Sequence, residues 1–164
     1  MVALVTNHGT IEIKLFTRRS PKTTANFLSY VNSKFYDGTI FHRVMSNFMI
    51  QGGGLTKSYK KKTTRAAIIN EATNRLSNKR GTVAMARTND PHTATAQFFI
   101  NVQDNYNLDH PTTWGNNWGY CVFGEVVKGM NVVDKIRNVR VRRRGVHTHA
   151  PVNHVVIKRA YVVK

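Results

Sequence analysis

The chain has 164 residues, with 25 Lys and Arg against 8 Asp and Glu, a formal charge of +17. That length suits one domain, residues 1–164, burying about 70 % of the surface its unfolded form exposes, so neither a metal nor a disulfide is required to hold it. One cysteine, Cys121, excludes an intramolecular disulfide, and the N-terminus has no basic lead or apolar run of signal length; with no stretch of roughly 18 apolar residues either, a cytoplasmic protein without a membrane span is expected.

Ala3 to Thr6 and Thr10 to Phe16 flank the turn residues Asn7-His8-Gly9, and Ile11, Ile13 and Leu15 alternate with Glu12 and Lys14. The alternation predicts a β-hairpin whose second strand has one buried face. Ser20-Pro21 has the pattern of an N-cap followed by Pro at the first helical position. Thr24, Phe27, Leu28 and Val31 then form a helical stripe that ends near Asn32-Ser33, before a turn over Phe35 to Gly38.

From Phe41 to Gly53, residues that favour burial (Val44, Met45, Met49, Ile50) are mixed with a guanidinium at Arg43 and an amide at Gln51. A three-residue hairpin loop Ser46-Asn47-Phe48, with Asn47 supplying a positive φ, sets Met45 opposite Met49 and Arg43 opposite Gln51. The pair reads either as a capped surface strand or as a site. Gly52-Gly53-Gly54 ahead of Lys57-Ser58 is a poor phosphate loop, because Thr56 precedes the lysine and no apolar helical stripe follows. The glycines are better read as a bulge or a close approach of backbone to ligand.

Gly81 to Ala86 alternates Val83 and Met85 with Thr82, Ala84 and Ala86, a strand with small residues on one face. In Gln97 to Val102, period two puts Phe98, Ile100 and Val102 on the core side and leaves Phe99 between Gln97 and Asn101 on the other. Such a phenylalanine is a scattered exposed hydrophobe or the floor of a groove. Asp104 to Gly119, with Trp114 and Trp118, reads as a long irregular loop. Tyr120 to Val126 is a strand, Gly129 to Asn138 a helix carrying Val132, Val133 and Ile136, and His154 to Val163 a last strand. About eight short strands and two helices, without βαβ rhythm, predict an all-β antiparallel fold.

Charge is uneven. No acid lies between Asp37 and Glu71, where Lys57, Lys60, Lys61, Lys62 and Arg65 accumulate, and Arg140, Arg142, Arg143 and Arg144 form a second cluster. The excess reads as a solvated surface or as non-specific association with nucleic acid; no aromatic residue interleaves with the arginines as a stacking platform would. His147-Thr148-His149 could set two imidazoles on one side of a strand, but no third ligand accompanies them, so no metal is expected. The acids are too scattered for a paired-carboxylate hydrolase, and no Gly-x-Ser-x-Gly elbow occurs.

The run Phe41-His42-Arg43-Val44 through Phe48-Met49-Ile50-Gln51-Gly52-Gly53 resembles the signature of the cyclophilin family of peptidyl-prolyl cis-trans isomerases. The resemblance continues, in order, through Gly81 to Ala86, Ala96 to Asn101 and Gly119 to Gly124, and is greatest to the small bacterial cyclophilins. It implies a β-barrel of eight antiparallel strands, closed, with helices over its two ends. It also implies catalysis of rotation about X-Pro bonds with no cofactor, on proline-containing peptides and unfolded or flexible segments, by a monomer assisting folding. A binding module or chaperone for proline-containing or anionic partners is the alternative.

Residue by residue, the resemblance makes Arg43 and Gln51 catalytic. It gives the proline ring a socket of Phe48, Met49, Phe99 and Leu108, and lines the peptide groove with Ala86, Arg87, Gln97 and Tyr120. Two positions depart from the cyclosporin-sensitive pattern: Asn107 stands where those have tryptophan, and Tyr120 where they have histidine. Losing an indole N–H and apolar area there implies weak cyclosporin binding.

Overall fold

The computed structural model describes residues 1–110 and 118–164, so Trp114 of the long loop lies outside the described residues. The strands are β1 (Val2–Thr6), β2 (Gly9–Leu15), β3 (Arg43–Met45), β4 (Met49–Gly52), β5 (Thr82–Met85), β6 (Phe98–Asn101), β7 (Val122–Lys128), β8 (Val141–Arg144), β9 (His147–Pro151) and β10 (Ile157–Val162). The helices are α1 (Pro21–Asn32) and α2 (Met130–Arg137).

Eight strands form one antiparallel sheet in the order β10-β1-β2-β7-β5-β6-β4-β3, while β8 and β9 pair with each other. The sheet curls around an apolar core, but its outer strands β10 and β3 do not pair as a ladder. They are joined just ahead of each strand, by a bridge between Ile40 and Val156 and by the Phe41 N–H donating to the Val155 carbonyl. Two further bonds cross there, the Ile157 N–H donating to the Thr39 carbonyl and the Gly38 N–H to the Ile157 carbonyl, both at 2.8 Å. The closed barrel implied by the family resemblance is thus corrected to a curled half-barrel held at its seam by a short run of backbone bonds rather than a strand ladder. β3 spans only three residues before its turn, and β9 packs against it.

Inside the curl, Phe27 of α1 meets Phe98 edge-on at 5.5 Å between ring centroids and Phe123 at 5.0 Å. Val132, Val133 and Ile136 bury the apolar stripe of α2. Ser20 is the N-cap residue of α1 and Pro21 follows it, but the Ser20 hydroxyl donates to the Val122 carbonyl instead of capping. Glu71, distant in sequence, takes over: its carboxylate accepts from the Thr23 N–H at 2.7 Å and the Lys22 N–H at 3.3 Å, an anion at the positive end of the helix.

One further expectation is corrected and one element is added. Asn47 does not adopt a positive φ; the loop is instead closed by the Phe48 N–H donating to the Met45 carbonyl at 2.9 Å, with the expected pairing intact. The β8–β9 hairpin is an addition, since Val141-Arg142-Arg143-Arg144 offers no apolar alternation and forms a strand through its ladder and the packing of β9 on β3. Cys121 is buried, and burial first of all raises its thiol pKa, as befits a small core residue.

Candidate active site

The site lies on the outer side of the sheet. Period two along β6 turns Phe98 and Ile100 into the core and Phe99 outward, where it joins Met49, Ala84 and Val122 in a separate apolar cluster. Phe99 is only 4 % exposed, so it is the floor of a groove. Register aligns the cluster with the polar pair: Arg43 opposes Gln51, Gln51 opposes Phe99, and Phe99 opposes Ala84, a row across β3, β4, β6 and β5. Because neighbouring strands lie about 4.8 Å apart, the guanidinium starts two strands, roughly 10 Å, from the aromatic floor and reaches toward it along the row.

A cavity of about 220 Å³ opens above this row. Arg43, Gln51, Phe48, Met49, Ala86, Arg87, Phe99, Leu108 and Tyr120 line it, all named from the sequence. Gln97 lines an adjoining cavity of about 200 Å³ instead, together with Gln51, Ala86 and Arg87. That second cavity also takes Lys61, which the sequence placed only in a basic cluster, and Thr88, Thr93 and Thr95, which it did not single out. The bridge between Leu55 and Lys61 sets this lysine beside the groove, a contact without a local sequence signal.

Arg43 is half-buried, and its Nη1 donates to Gln51 Oε1 at 3.2 Å. Gln51 Nε2 donates in turn to Gln97 Oε1 at 3.0 Å. Gly54 makes this chain possible, since a Cβ there would lie 2.4 Å from Gln97 Cγ, and a Cβ on Gly52 would lie 2.6 Å from the Ile40 carbonyl oxygen. The glycine run therefore serves close approach of backbone to the protein itself, at the groove for Gly54 and at the neighbouring segment and core for Gly52 and Gly53. Among the described residues, the ion pairs engage Arg80, Lys128 and Arg137, and none engages Arg43.

Arg87 plays a different part from Arg43. Its Nε donates to the Gly119 carbonyl at 3.0 Å and its guanidinium stacks 4.4 Å from the centre of the Tyr120 ring. Tyr120 in turn meets Phe99 edge-on at 5.6 Å, so Arg87 braces the wall of the socket. The other walls are tied by buried asparagines that the sequence reading did not single out. Asn105 Nδ2 donates to the Phe48 carbonyl and to Asn101 Oδ1, both at 2.8 Å. Asn101 donates to Asn78 Oδ1, and Asn78 Nδ2 donates to the Leu108 and Tyr120 carbonyls. A satisfied buried amide network of this kind fixes geometry, because every member has an alternative only at the cost of an unmet polar group.

Behind Arg43, His42 is 6 % exposed and its pKa is lowered from 6.5 to about 4, by burial first and then by His147 and Arg43. The imidazole beside the site is thus neutral at physiological pH. Chemically, the groove combines an apolar floor, a fixed cation and amide groups, without a nucleophile or a paired acid and base among its described lining residues.

Comparison with known proteins gives the family. Residues 1–162 match the family described as cyclophilin type peptidyl-prolyl cis-trans isomerase/CLD. The chain is 54 % identical over 158 residues to peptidyl-prolyl cis-trans isomerase B of Escherichia coli (strain K12), covering 96 % of each chain. It is likewise 54 % identical over 162 residues to the peptidyl-prolyl cis-trans isomerase cyp18 of Streptomyces antibioticus, covering 99 % of this chain and 98 % of the relative. A cyclophilin type isomerase of Cryptosporidium parvum, crystallised in the presence of the dipeptide Ala-Pro, superposes with a TM-score of 0.81 at 26 % identity, over 99 % of this chain and 98 % of the other. The groove, its register and these relatives agree, and the chain belongs to the cyclophilin type peptidyl-prolyl cis-trans isomerase family.

Proposed function

We propose that this isomerase lowers the barrier to X-Pro rotation by directing the Arg43 guanidinium at a peptide whose proline ring occupies the 220 Å³ cavity on Phe99. The planar imide resists rotation by about 18–20 kcal/mol because its nitrogen lone pair is delocalised. In the twisted form that lone pair returns to nitrogen, and a rigid N–H donor stabilises it more than it stabilises either planar isomer. Each 1.4 kcal/mol of such preference is worth about tenfold in rate. No bond is made or broken, so no cofactor enters.

Gln51 and Gln97 hold the backbone flanking the proline. The Ala86 N–H already donates to the Gln97 carbonyl, which leaves the Ala86 carbonyl and the Arg87 N–H to meet a bound peptide. The observation that carries this reading is the row Arg43–Gln51–Phe99 beneath one cavity. A protease-coupled assay on an Ala-Pro peptide tests it. Acceleration that is flat from roughly pH 7 to 9 is expected, because a guanidinium does not titrate there. A bell-shaped profile of kcat/KM means acid–base chemistry and contradicts the reading.

Asn107 is exposed on a single turn of 3-10 helix, Tyr106–Leu108, so position 107 supplies no indole beside Leu108. Weak cyclosporin binding follows, and tight stoichiometric binding in a calorimetric titration overturns it. Outside the groove most cations have no acidic partner among the described residues, which supports a general attraction to polyanions. No mobility shift of an oligonucleotide at low salt removes that second reading.

A further inference from the structure

The two basic clusters lie about eighty residues apart in sequence, yet part of each converges on Tyr59. The Arg144 guanidinium from β8 stacks 4.8 Å from the centre of the Tyr59 ring. His147 of β9 lies 5.2 Å from the same ring and His154 6.0 Å from it. Burial first, then the nearby charges of Arg144 and Lys57, hold His154 below its ordinary pKa, so Lys57 of the loop and Arg144 of the hairpin share one neighbourhood. Tyr59 takes a positive φ of 62°, held by its N–H donating to the Thr56 carbonyl at 2.9 Å. A strained non-glycine backbone persists only where its surroundings over-determine it.

The loop cluster divides at this tyrosine. Lys62 turns away to the Phe35 carbonyl and ring, and Arg65 to the Tyr30 ring. Lys57, Arg140 and Arg142 remain exposed, with no side-chain hydrogen bond among the described residues, and Arg143 reaches only the Gly145 carbonyl. No acidic residue occurs between Asp37 and Glu71 or after Asp134, so neither segment supplies its own neutralising charge. The three buried side-chain N or O atoms without a hydrogen-bond partner among the described residues are His42 Nδ1, Tyr59 OH and His154 Nδ1, all in or beside this cluster.

We infer that the β8–β9 hairpin and the Lys57–Tyr59 segment form one composite face that binds the phosphodiester backbone of nucleic acid without reading sequence. This rests on the general attraction to polyanions proposed above and gives it a location. Guanidinium groups match phosphate oxygens in bidentate fashion, and a two-stranded basic ribbon is a shape that nucleic-acid grooves admit. A protein partner fits less well, because the face has no apolar centre of the kind an interface core needs. An anionic membrane fits less well too: the large exposed aliphatics of the hairpin are only Val146 at its tip, 86 % exposed, and Val141 at the start of β8, 38 % exposed, too little apolar surface to insert. Tyr59 is engaged by Arg144 and the histidines, so it organises the cations and does not serve as a stacking platform.

Binding of the full chain to a fluorescein-labelled oligouridylate and to a DNA duplex, followed by anisotropy across a salt series, tests this. The probe set includes vesicles of phosphatidylcholine with phosphatidylserine. Wild type should bind both nucleic acids, with an affinity falling steeply in salt. For the single strand, each lost phosphate contact should flatten the log–log slope by about 0.7. Lys57→Gln and the double variant Arg142→Gln/Arg143→Gln should each weaken binding, the double variant on the order of tenfold near 0.1 M salt. Arg18→Gln/Lys22→Gln, removing equal charge where the chain enters α1, should leave affinity within roughly twofold if location rather than net charge decides. Isomerase activity should be unchanged in all of these, since none of the substituted residues lines either cavity. If all variants lose affinity equally, the attraction is general and the composite face is wrong. If wild type binds no nucleic acid at low salt, or binds only the vesicles, both the face and its premise fail.

Discussion

The two sides of β6 make opposite use of the same strand. Inward, Phe98 and Ile100 are fully buried in a core where Phe27, Tyr36 and Phe41 pack edge-on around Phe98. Outward, Phe99 is nearly as buried, yet the space above it is a 220 Å³ cavity edged by a guanidinium and amides. The inner side is finished by the chain itself, whereas the outer side is apolar surface left for another chain to cover. Burial alone does not tell them apart; the neighbours across the row do.

That contrast can be sharpened by mutation. Phe98→Ala should cost about 3–5 kcal/mol of stability, read as a lower urea midpoint, while the protein that remains folded keeps its kcat/KM. A comparable fall in intrinsic activity would mean that the two sides are coupled. Next in size is the effect of His42, whose imidazole folding holds neutral down to about pH 4 against 6.5 in the unfolded chain. The unfolded state takes up a proton in that window and the folded state refuses it, so stability is complete above pH 6.5 and falls as pH drops toward 4. The loss is on the order of 3 kcal/mol, and thermal midpoints of wild type should fall through this window more steeply than those of His42→Gln. Equal slopes would assign the acid sensitivity elsewhere.

Asn105→Ala should cost about 1–3 kcal/mol, because the Phe48 carbonyl and Asn101 Oδ1 lose a buried donor. As this amide holds the socket wall, KM should rise more than kcat falls. A stability loss with KM unchanged would show that the asparagine network supports the fold without shaping the groove. Smallest is Arg87→Leu, which removes the brace on Tyr120 but leaves the Ala86 and Arg87 backbone in place. It should raise KM by a few-fold, on the order of 1 kcal/mol for one stacked cation; a large fall in kcat would move Arg87 into the chemistry.

What the sequence made legible was whatever has a local period. The opposition of Arg43 and Gln51 followed from a three-residue loop, and the outward turn of Phe99 from alternation along one strand. The α1 start was marked by Ser20-Pro21, but its cap comes from Glu71, a contact with no spacing rule. The asparagines behind the socket and the Lys61 side of the adjoining cavity are equally non-local. β8 escaped notice because Arg142 to Arg144 has no apolar face, its strand being set by backbone pairing and by β3 beside its partner. Closure by a short seam ahead of β3 rather than by a full ladder depends on where β3 begins and ends, which periodicity does not fix.

The proposed mechanism has a fixed guanidinium over an outward-facing apolar floor accelerate rotation, and the Arg43→Ala variant bears on that most directly. In the coupled Ala-Pro peptide assay, kcat/KM should fall by roughly 10²–10³, as when one donor to a developing charge is removed. Its thermal midpoint should stay close to wild type, because the side chain contributes one part-buried hydrogen bond to Gln51. A stable Arg43→Ala protein that turns over at the wild-type rate would contradict the role given to this residue.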